Sequence, residues 1–138
     1  EGAQFLIGVD LVKDKAVLEA AYDDAAGVTA AFNMNLLTRM KAELDARLNL
    51  GDFEHLAFYN DAEDRIEMHL RAVRPTEIVI DGQTFAFDEG ETLHTENSHK
   101  FTLEKIEALV NQTPWRLDRF WTDPKRWFGA CLLSNKKV

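Results

Sequence analysis

The sequence has few of the features that reveal a chemistry directly, and each scarcity excludes a class of protein. It has one cysteine, Cys131, so no disulfide can form within the chain. That thiol lies in the apolar run Phe128–Leu133, where we expect it to be buried and unreactive. No apolar run approaches the roughly 20 residues of a membrane-spanning helix. These absences favour a reducing compartment, and we predict a cytoplasmic location.

Glycine and positive charge are also too dispersed to form the usual binding signatures. The seven glycines are scattered, so the chain has no glycine-rich loop of the kind that holds phosphates or dinucleotides. There are 24 acidic and 16 basic side chains, a formal net charge of −8, and no basic patch. We therefore predict neither nucleic acid nor an anionic membrane as a partner.

The four histidines do not show a spacing typical of a zinc site, so the sequence predicts no metal site. Glu67 and His69 alternate on one face of a predicted strand. We interpret them as a solvated pair rather than as metal ligands.

What the chain does contain is a regular alternation of helix and strand patterns. The apolar run Phe5–Val9 suits a strand that is covered on both faces, as in a parallel sheet. A short helix is predicted over Lys15–Ala21. A longer amphipathic helix of about 20 residues follows, capped by Asp23 or Asp24. Its apolar residues recur in steps of four: Val28, Phe32, Leu36, Met40 and Leu44.

From Asp52 to Ser98 the hydrophobic period changes to two, which predicts four or five successive antiparallel strands. A second amphipathic helix begins after Thr102, its predicted N-cap. Two final strands follow, Trp115–Thr122 and Phe128–Ser134. The predicted fold class is α/β, and α+β for this fragment by itself.

The stretch Thr92–Lys100, TLHTENSHK, is too polar for ordinary core. As an extended strand it would place His94, Glu96 and Ser98 on one face, with neighbours about 6–7 Å apart. A carboxylate and a hydroxyl at that spacing can bind a ligand that carries N–H donors. The alternative is a solvated edge strand.

A second set of candidates lies in and before the long helix. Tyr22, Thr29 and Asn33 are spaced so that all three could face one way, although all three could equally be solvent-facing polar residues. Met68 alternates with Ile66 and Leu70, so by pattern it is a core residue.

Several motifs stand in the order and spacing of one known family: DLVKD at Asp10–Asp14, AYDDAAGVTAAFNMNLL at Ala21–Leu37, RIEMHL at Arg65–Leu70, HTENSHKF at His94–Phe101, and WTDP at Trp121–Pro124. Over nearly its whole length the chain resembles the carboxyl-terminal portion of the histidine-specific, S-adenosylmethionine-dependent methyltransferases. These enzymes trimethylate the α-amine of histidine in ergothioneine biosynthesis.

The resemblance implies the distal part of a class I methyltransferase sheet, at residues 1–10 and 99–138, with an inserted substrate-binding domain of antiparallel strands and helix at residues 11–98. It also implies site roles. Tyr22 would hold the histidine carboxylate, and Glu96 and Ser98 would meet the imidazole nitrogens. Thr29 would assist through water, and Met68 would line the imidazole pocket. Asn33 is a further candidate, and no catalytic residue is assigned.

The resemblance also implies what is missing. The glycine-rich cofactor loop, the acidic ribose-binding residue and the asparagine that orients the amine belong to an upstream half that this sequence does not contain. We therefore expect a fragment with an incomplete S-adenosylmethionine site, inactive by itself, that could self-associate through surface left by the missing half. The alternatives are another amino-acid or indole substrate, or a non-catalytic module that binds a small ligand or dimerises.

Overall fold

The computed structural model describes residues 2–135, in which three α-helices, a short 3-10 helix and eight strands follow one another. None of the described helices is both long and apolar enough to cross a membrane. The elements are β1 (Gln4–Asp10), α1 (Lys15–Tyr22), α2 (Val28–Glu43), the 3-10 helix (Leu50–Asp52), β2 (Phe53–Asn60), β3 (Arg65–Ala72), β4 (Thr76–Ile80), β5 (Gln83–Phe87), β6 (Thr92–His99), α3 (Leu103–Asn111), β7 (Trp115–Thr122) and β8 (Phe128–Asn135).

The chain divides into two compact units. The first contains the described residues of Glu1–Asp14, Ala62–Asp64 and His99–Val138, and the second contains Lys15–Asp61 and Arg65–Ser98. Glu1 and residues 136–138 lie outside the described residues. The roles that the sequence assigns to 1–10 with 99–138 and to 11–98 stay a prediction.

The first unit is built on a sheet with strand order β1-β8-β7 and on α3. Thr102 caps α3 as predicted, because its side chain accepts a hydrogen bond from the Lys105 N–H at 3.3 Å.

The expectation of a parallel, doubly covered β1 is wrong for this sheet. β1 pairs antiparallel with β8 and is an edge strand, with Leu6 67% exposed. A short apolar run indicates a strand, but it does not fix the direction of the partner. The buried residues of this core are Val9, Leu11, Ile106, Val110, Cys131 and Leu133.

Two glycines of this sheet lie beneath aromatic rings. A Cβ at Gly129 would lie 2.6 Å from the Phe120 ring, and one at Gly8 would lie 2.6 Å from the Phe128 ring. Both distances are far below van der Waals contact, so the rings pack directly on the backbone. The thiol of Cys131 is fully buried, as predicted, and its burial raises its pKa.

A buried ion pair lies beside β1. The ammonium of Lys100, whose side chain is fully buried, is 3.0 Å from the Asp10 carboxylate, which Lys13 also contacts. Burial by itself would raise the pKa of Asp10, but the hydrogen bonds and positive charges of the two lysines outweigh it and leave that pKa lowered. Because Asp10 is paired with both lysines, we interpret it as a residue that stabilises the first unit.

The second unit contains a sheet with strand order β2-β3-β6 and a separate hairpin of β4 and β5. The predicted strands are present, but they form two sheets. Along β3, Ile66, Met68 and Leu70 are 0%, 3% and 0% exposed, which confirms their shared core face. Burying each of these side chains contributes roughly 1.5–3 kcal/mol to folding. Leu18 of α1 packs with Ile66 and Met68, and Leu37 of α2 packs with Leu70.

The long helix was predicted correctly in existence but not in its start. α2 begins at Val28, after Gly27, whose φ of 69° is a backbone conformation that glycine adopts at little cost. The predicted cap, Asp24, lies outside the helix. Its carboxylate nevertheless accepts the N–H groups of Val28 and Thr29, at 3.0 and 2.8 Å, so it satisfies the first turn from a distance.

The orientation of α2 also differs from the pattern. Val28 and Phe32 are each 67% exposed and Leu36 is 40% exposed, whereas the buried residues are Asn33 and Leu37. A step of four residues overshoots one helical turn by about 40°, so a run in steps of four winds around the helix. The start of the apolar run therefore faces away from the core. We call Val28, Phe32 and Leu36 the exposed stripe.

Candidate functional site

A cleft of about 210 Å³ lies in the second unit between α2 and the strands β3 and β6. It brings together three of the candidate residues, Asn33, Met68 and Glu96, from positions far apart in the sequence. The cleft is lined by Phe32, Asn33, Asn35, Leu36, Arg39, Met68, Thr95 and Glu96. Phe32 and Leu36 of the exposed stripe therefore line one side of the cleft, and Glu96, an exposed residue of β6, lines it as well.

Two further candidates meet through their hydroxyl groups. Tyr22 Oη, at the end of α1, is 2.6 Å from Ser98 Oγ on β6. Tyr22 also packs against the core cluster that contains Met68. Tyr22 and Ser98 are thus in contact, although most of the second unit's sequence separates them, but neither is among the residues that line the cleft.

Thr29 lies in the first turn of α2 and is not among the residues that line the cleft. Its N–H, with that of Val28, holds the Asp24 carboxylate and lowers the pKa of Asp24 to about 2. The Thr29 side chain also bonds to Asp24. The structure thus shows Thr29 as part of the helix cap, one turn before Asn33, and its assignment to a bridging water stays a prediction.

The alternation predicted for β6 breaks in the middle of the strand. Met68 and His69 are adjacent on β3, so their side chains lie on opposite faces of the sheet. Met68 lines the cleft, whereas His69 stacks on His94, with ring centroids 4.3 Å apart. His94 therefore lies on the face away from the cleft. Thr95 and Glu96, adjacent in sequence, both line the cleft.

Ser98, four residues after His94, meets Tyr22, which packs against the cluster that contains Met68. Regular alternation would place residues 94 and 98 on one face, so the expectation that His94 shares a face with Glu96 and Ser98 is wrong for His94. The irregularity lies between Thr95, whose hydroxyl bonds to Asn33, and Ser98, because an odd step of three residues keeps both side chains on the cleft side.

Asn33 lies at the back of the cleft, 3% exposed, and all of its amide groups are paired. Its Nδ2 donates to the His69 carbonyl and meets His55 Nδ1, both at 3.0 Å. Its Oδ1 accepts from Thr95 Oγ1 at 2.7 Å. The alternative of a solvent-facing Asn33 is wrong, because the residue is part of a buried polar network.

A second polar cluster occupies the opposite face of the sheet. Glu67 and His69 are 7% and 8% exposed, so their interpretation as a solvated pair is wrong. Glu67 accepts hydrogen bonds from Asn60 and Arg65 and meets His69 Nε2 at 3.2 Å. The bonds from Asn60, then Arg65, lower the pKa of Glu67 to about 2, although burial acts in the opposite direction.

This second cluster also has donor atoms that suit a metal ion. Ligand atoms of Glu67, His69 and His94 lie within 4.8 Å of one another. The two imidazole rings, however, are stacked with an interplanar angle of 13°. Ring nitrogens bind metals in the plane of the ring, so two stacked rings do not direct their lone pairs to one point. The absence of a metal site therefore stays a prediction, and these three residues are the place to test it.

Sequence reasoning did not single out His55 or Thr95. The histidine spacing gives His55 no role, and strand alternation places Thr95 on the other face from Glu96. The signal for Thr95 was present in the motif TENS, where it is the first residue. His55 carried no such local signal, because its partners are the backbone of Tyr22 and the amide of Asn33.

The model of one protein family, described as histidine-specific methyltransferase, SAM-dependent, matches residues 1–135. The chain belongs to this family. It is 44% identical over 133 residues to a histidine N-alpha-methyltransferase of Mycolicibacterium smegmatis, covering 95% of this chain and 41% of the relative.

It is also 42% identical over 136 residues to a histidine N-alpha-methyltransferase of Mycobacterium tuberculosis, covering 97% of this chain and 42% of the relative. The chain thus spans about two fifths of the length of these curated relatives. The recognition made from the motifs is confirmed at the level of the family.

Proposed function

We propose that this chain forms the histidine-binding part of an S-adenosylmethionine-dependent methyltransferase that acts on the α-amine of histidine. The observation that carries the proposal is the convergence of Met68 and Glu96 on one cleft, in a chain of a histidine-specific family. The paired hydroxyl groups of Tyr22 and Ser98 add polar groups in the same unit, where Tyr22 packs against the core cluster that contains Met68.

The roles follow from the chemistry of each group. A carboxylate such as Glu96 accepts the N–H of an imidazole and favours a cationic ring. Ser98 can donate to or accept from the second ring nitrogen, and Tyr22 can donate its phenolic proton to the substrate carboxylate. Met68 offers a polarisable apolar contact for the ring, and Thr29 would act through a bridging water.

The two compact units support an assignment of architecture. We assign the first unit to the distal part of a class I methyltransferase sheet and the second unit to an inserted substrate-binding domain. In the first unit, β1 is paired with the last strand, β8, as expected if the final strands complete a sheet that β1 belongs to.

The described residues do not fit S-adenosylmethionine by themselves. A cofactor cradle needs backbone left open by glycine at the end of a strand. Here Gly8 and Gly129, the glycines within strands of the first unit, are covered by Phe128 and Phe120. We therefore assign cofactor binding to the part of the family's chain that this sequence does not span. The contribution of this chain is to bind histidine and to hold its amine in a reactive orientation.

The experiment that tests the proposal is calorimetric titration of the protein, expressed with its natural flanking sequence, with L-histidine and with L-tryptophan. Histidine should bind more tightly, because its imidazole N–H can donate to the Glu96 carboxylate. An indole does not place its N–H at that position. A preference for tryptophan would contradict the histidine assignment and favour an indole substrate. An assay with S-adenosylmethionine and histidine then tests transfer, and turnover by these 138 residues alone would overturn the inference of an incomplete cofactor site.

A second candidate function is self-association, favoured by the exposed stripe Val28, Phe32 and Leu36 and by the edge of β1. Exposed apolar side chains grouped on one face commonly mark a contact with another chain or segment. Sedimentation of the 138-residue chain and of its Phe32→Ser variant distinguishes a chain that self-associates through the exposed stripe from a chain that is monomeric. A monomer at micromolar concentration in both would exclude this candidate.

A further inference from the structure

Behind the cleft, Asn33 and His55 form a polar pair that the proposed histidine contacts do not include. Asn33 is on α2 and His55 is on β2; Asn33 has two further partners, and His55 has one, all on other elements. Through those partners the pair reaches the end of α1 and the strands β3 and β6. One buried hydrogen-bond network therefore links the elements that carry Tyr22, Met68 and Glu96.

The orientation of the Asn33 amide is fixed by its surroundings. The His69 carbonyl, 3.0 Å away, can only accept, so the nitrogen of the amide must face it. The oxygen then faces Thr95 Oγ1 at 2.7 Å, where the threonine hydroxyl donates. The opposite orientation would set two acceptors against each other. The remaining N–H of the amide is directed at His55 Nδ1.

This orientation fixes the tautomer of His55 in turn. Because Asn33 Nδ2 is a donor, His55 Nδ1 must accept and carries no proton. The other ring nitrogen, Nε2, is 2.8 Å from the carbonyl oxygen of Tyr22, an acceptor, so Nε2 carries the proton and donates. The neutral Nε2–H imidazole is the one form that satisfies both partners.

We propose that Asn33 and His55 are positioning residues that set the geometry of the histidine-binding groups at both ends of the substrate. The proposal rests on the proposed histidine-binding function. His55 holds the backbone of Tyr22, the residue assigned to the substrate carboxylate. Asn33 holds Thr95, which precedes Glu96, the residue assigned to the imidazole.

Thr95 extends this control to Met68. Its hydroxyl is 2.7 Å from Asn33 Oδ1 and 2.9 Å from the Met68 carbonyl, and its single proton serves these two acceptors. Thr95 also stands directly before Glu96, at the start of the stretch of β6 between Thr95 and Ser98 in which alternation is interrupted. Asn33 therefore holds the strand where it begins to depart from alternation.

The cost of this arrangement argues for a role beyond packing. The face of α2 that carries Asn33 otherwise buries Leu37, and an apolar side chain could fill the same space without needing the three partners of Asn33. A buried network that is fully paired rigidifies and specifies one arrangement. Orientation of two ends of a small zwitterion is a task that needs such fixed geometry.

The test removes the two hydrogen bonds of the His55 imidazole one at a time, in the protein with its natural flanking sequence. His55→Asn keeps an acceptor near the Nδ1 position for Asn33 but loses the donor to Tyr22. His55→Gln keeps a donor near the Nε2 position for Tyr22 but loses the acceptor for Asn33. Each variant is titrated calorimetrically with L-histidine and with histamine, which has the imidazole but no carboxylate.

We expect His55→Asn to weaken histidine binding about tenfold and to change histamine binding less than about twofold, because only the carboxylate end is loosened. We expect His55→Gln to weaken the binding of both ligands by similar factors. Thr95→Val, which removes the hydroxyl proton, should also weaken both, and Thr95→Ser should restore wild-type affinity. Thr95 thus provides a second test should either His55 variant fail to fold.

Wild-type affinity for histidine in folded His55→Asn, His55→Gln and Thr95→Val would overturn the positioning role and leave a structural one. Equal losses for histidine and histamine in His55→Asn would overturn the assignment of His55 to the carboxylate end. Failure of the wild-type protein to bind histidine at all would instead contradict the proposed function, so the two failures are distinguishable.

Discussion

The sheet of the second unit carries a polar cluster on each face, and the two are built differently. On the cleft face, Asn33, His55 and Thr95 pair mostly with one another and with backbone carbonyls. On the other face, Glu67 pairs with the charged Arg65, and His69 is stacked between Phe58 and His94. The first cluster fixes the backbone of residues that we propose to contact the substrate. The second neutralises a buried charge, so we interpret it as serving stability.

The largest expected effect separates two residues of β6 that lie two positions apart. Glu96→Ala should weaken histidine binding about 10- to 100-fold, because it removes a charged acceptor of an imidazole N–H. His94→Ala should leave the affinity within about twofold, because His94 lies on the other face. Calorimetry on both variants measures the contrast, and a comparable loss in His94→Ala would break the assignment of the two faces.

The next effect concerns stability. Arg65→Met removes the cation 2.7 Å from Glu67 and should lower the free energy of unfolding by about 1–3 kcal/mol. The matched control is Arg71→Met on the same strand, whose partner Glu54 is about half exposed, and it should cost less than about 1 kcal/mol. Urea denaturation measures both. Equal losses would show that Glu67 is no more dependent on its cation than a surface carboxylate.

A pH titration provides a smaller and more specific test. The pKa of Glu67 is about 2 in the folded protein, against an ordinary value of 4.5. Because the folded pKa is lowered, the stability that Glu67 contributes is present above about pH 4.5 and is lost as the pH falls toward 2. Glu67→Gln should flatten this part of the curve of unfolding free energy against pH. A variant curve parallel to the wild type over that window would contradict the assignment.

The smallest effect is expected from zinc. Since the His69 and His94 rings are stacked, stoichiometric Zn²⁺ should leave the thermal midpoint of unfolding unchanged. A rise in the midpoint that His94→Ala abolishes would show that His94 turns to complete a metal site with Glu67 and His69. That result would change the second cluster from a stabilising feature into a binding site.

The order and type of the elements could be predicted because they depend on local periodicity and on turn residues. The helix cap at Thr102 and the core face of Ile66, Met68 and Leu70 were confirmed for this reason. The membership of Met68 and Glu96 in one cleft came from the resemblance, since nothing in the spacing of residues 68 and 96 brings them together.

The remaining features depend on contacts that a pattern does not encode. The exposed stripe is as apolar as a core face, and the buried Asn33 is polar, so hydrophobicity alone predicts the wrong orientation of α2. The interruption of β6 between Thr95 and Ser98 has no glycine or proline to mark it and is visible only through the partners of those two residues. The antiparallel pairing of β1 depends on β8, which lies more than a hundred residues later.

The burial of Cys131 provides a way to measure how the two units depend on each other. As the chain's one cysteine, it reacts with a thiol reagent only when the core of the first unit opens. Its labelling rate therefore measures local opening of that unit alone. Histidine is proposed to bind the second unit. Any slowing of Cys131 labelling by histidine would therefore report thermodynamic coupling between the two units, without an added probe.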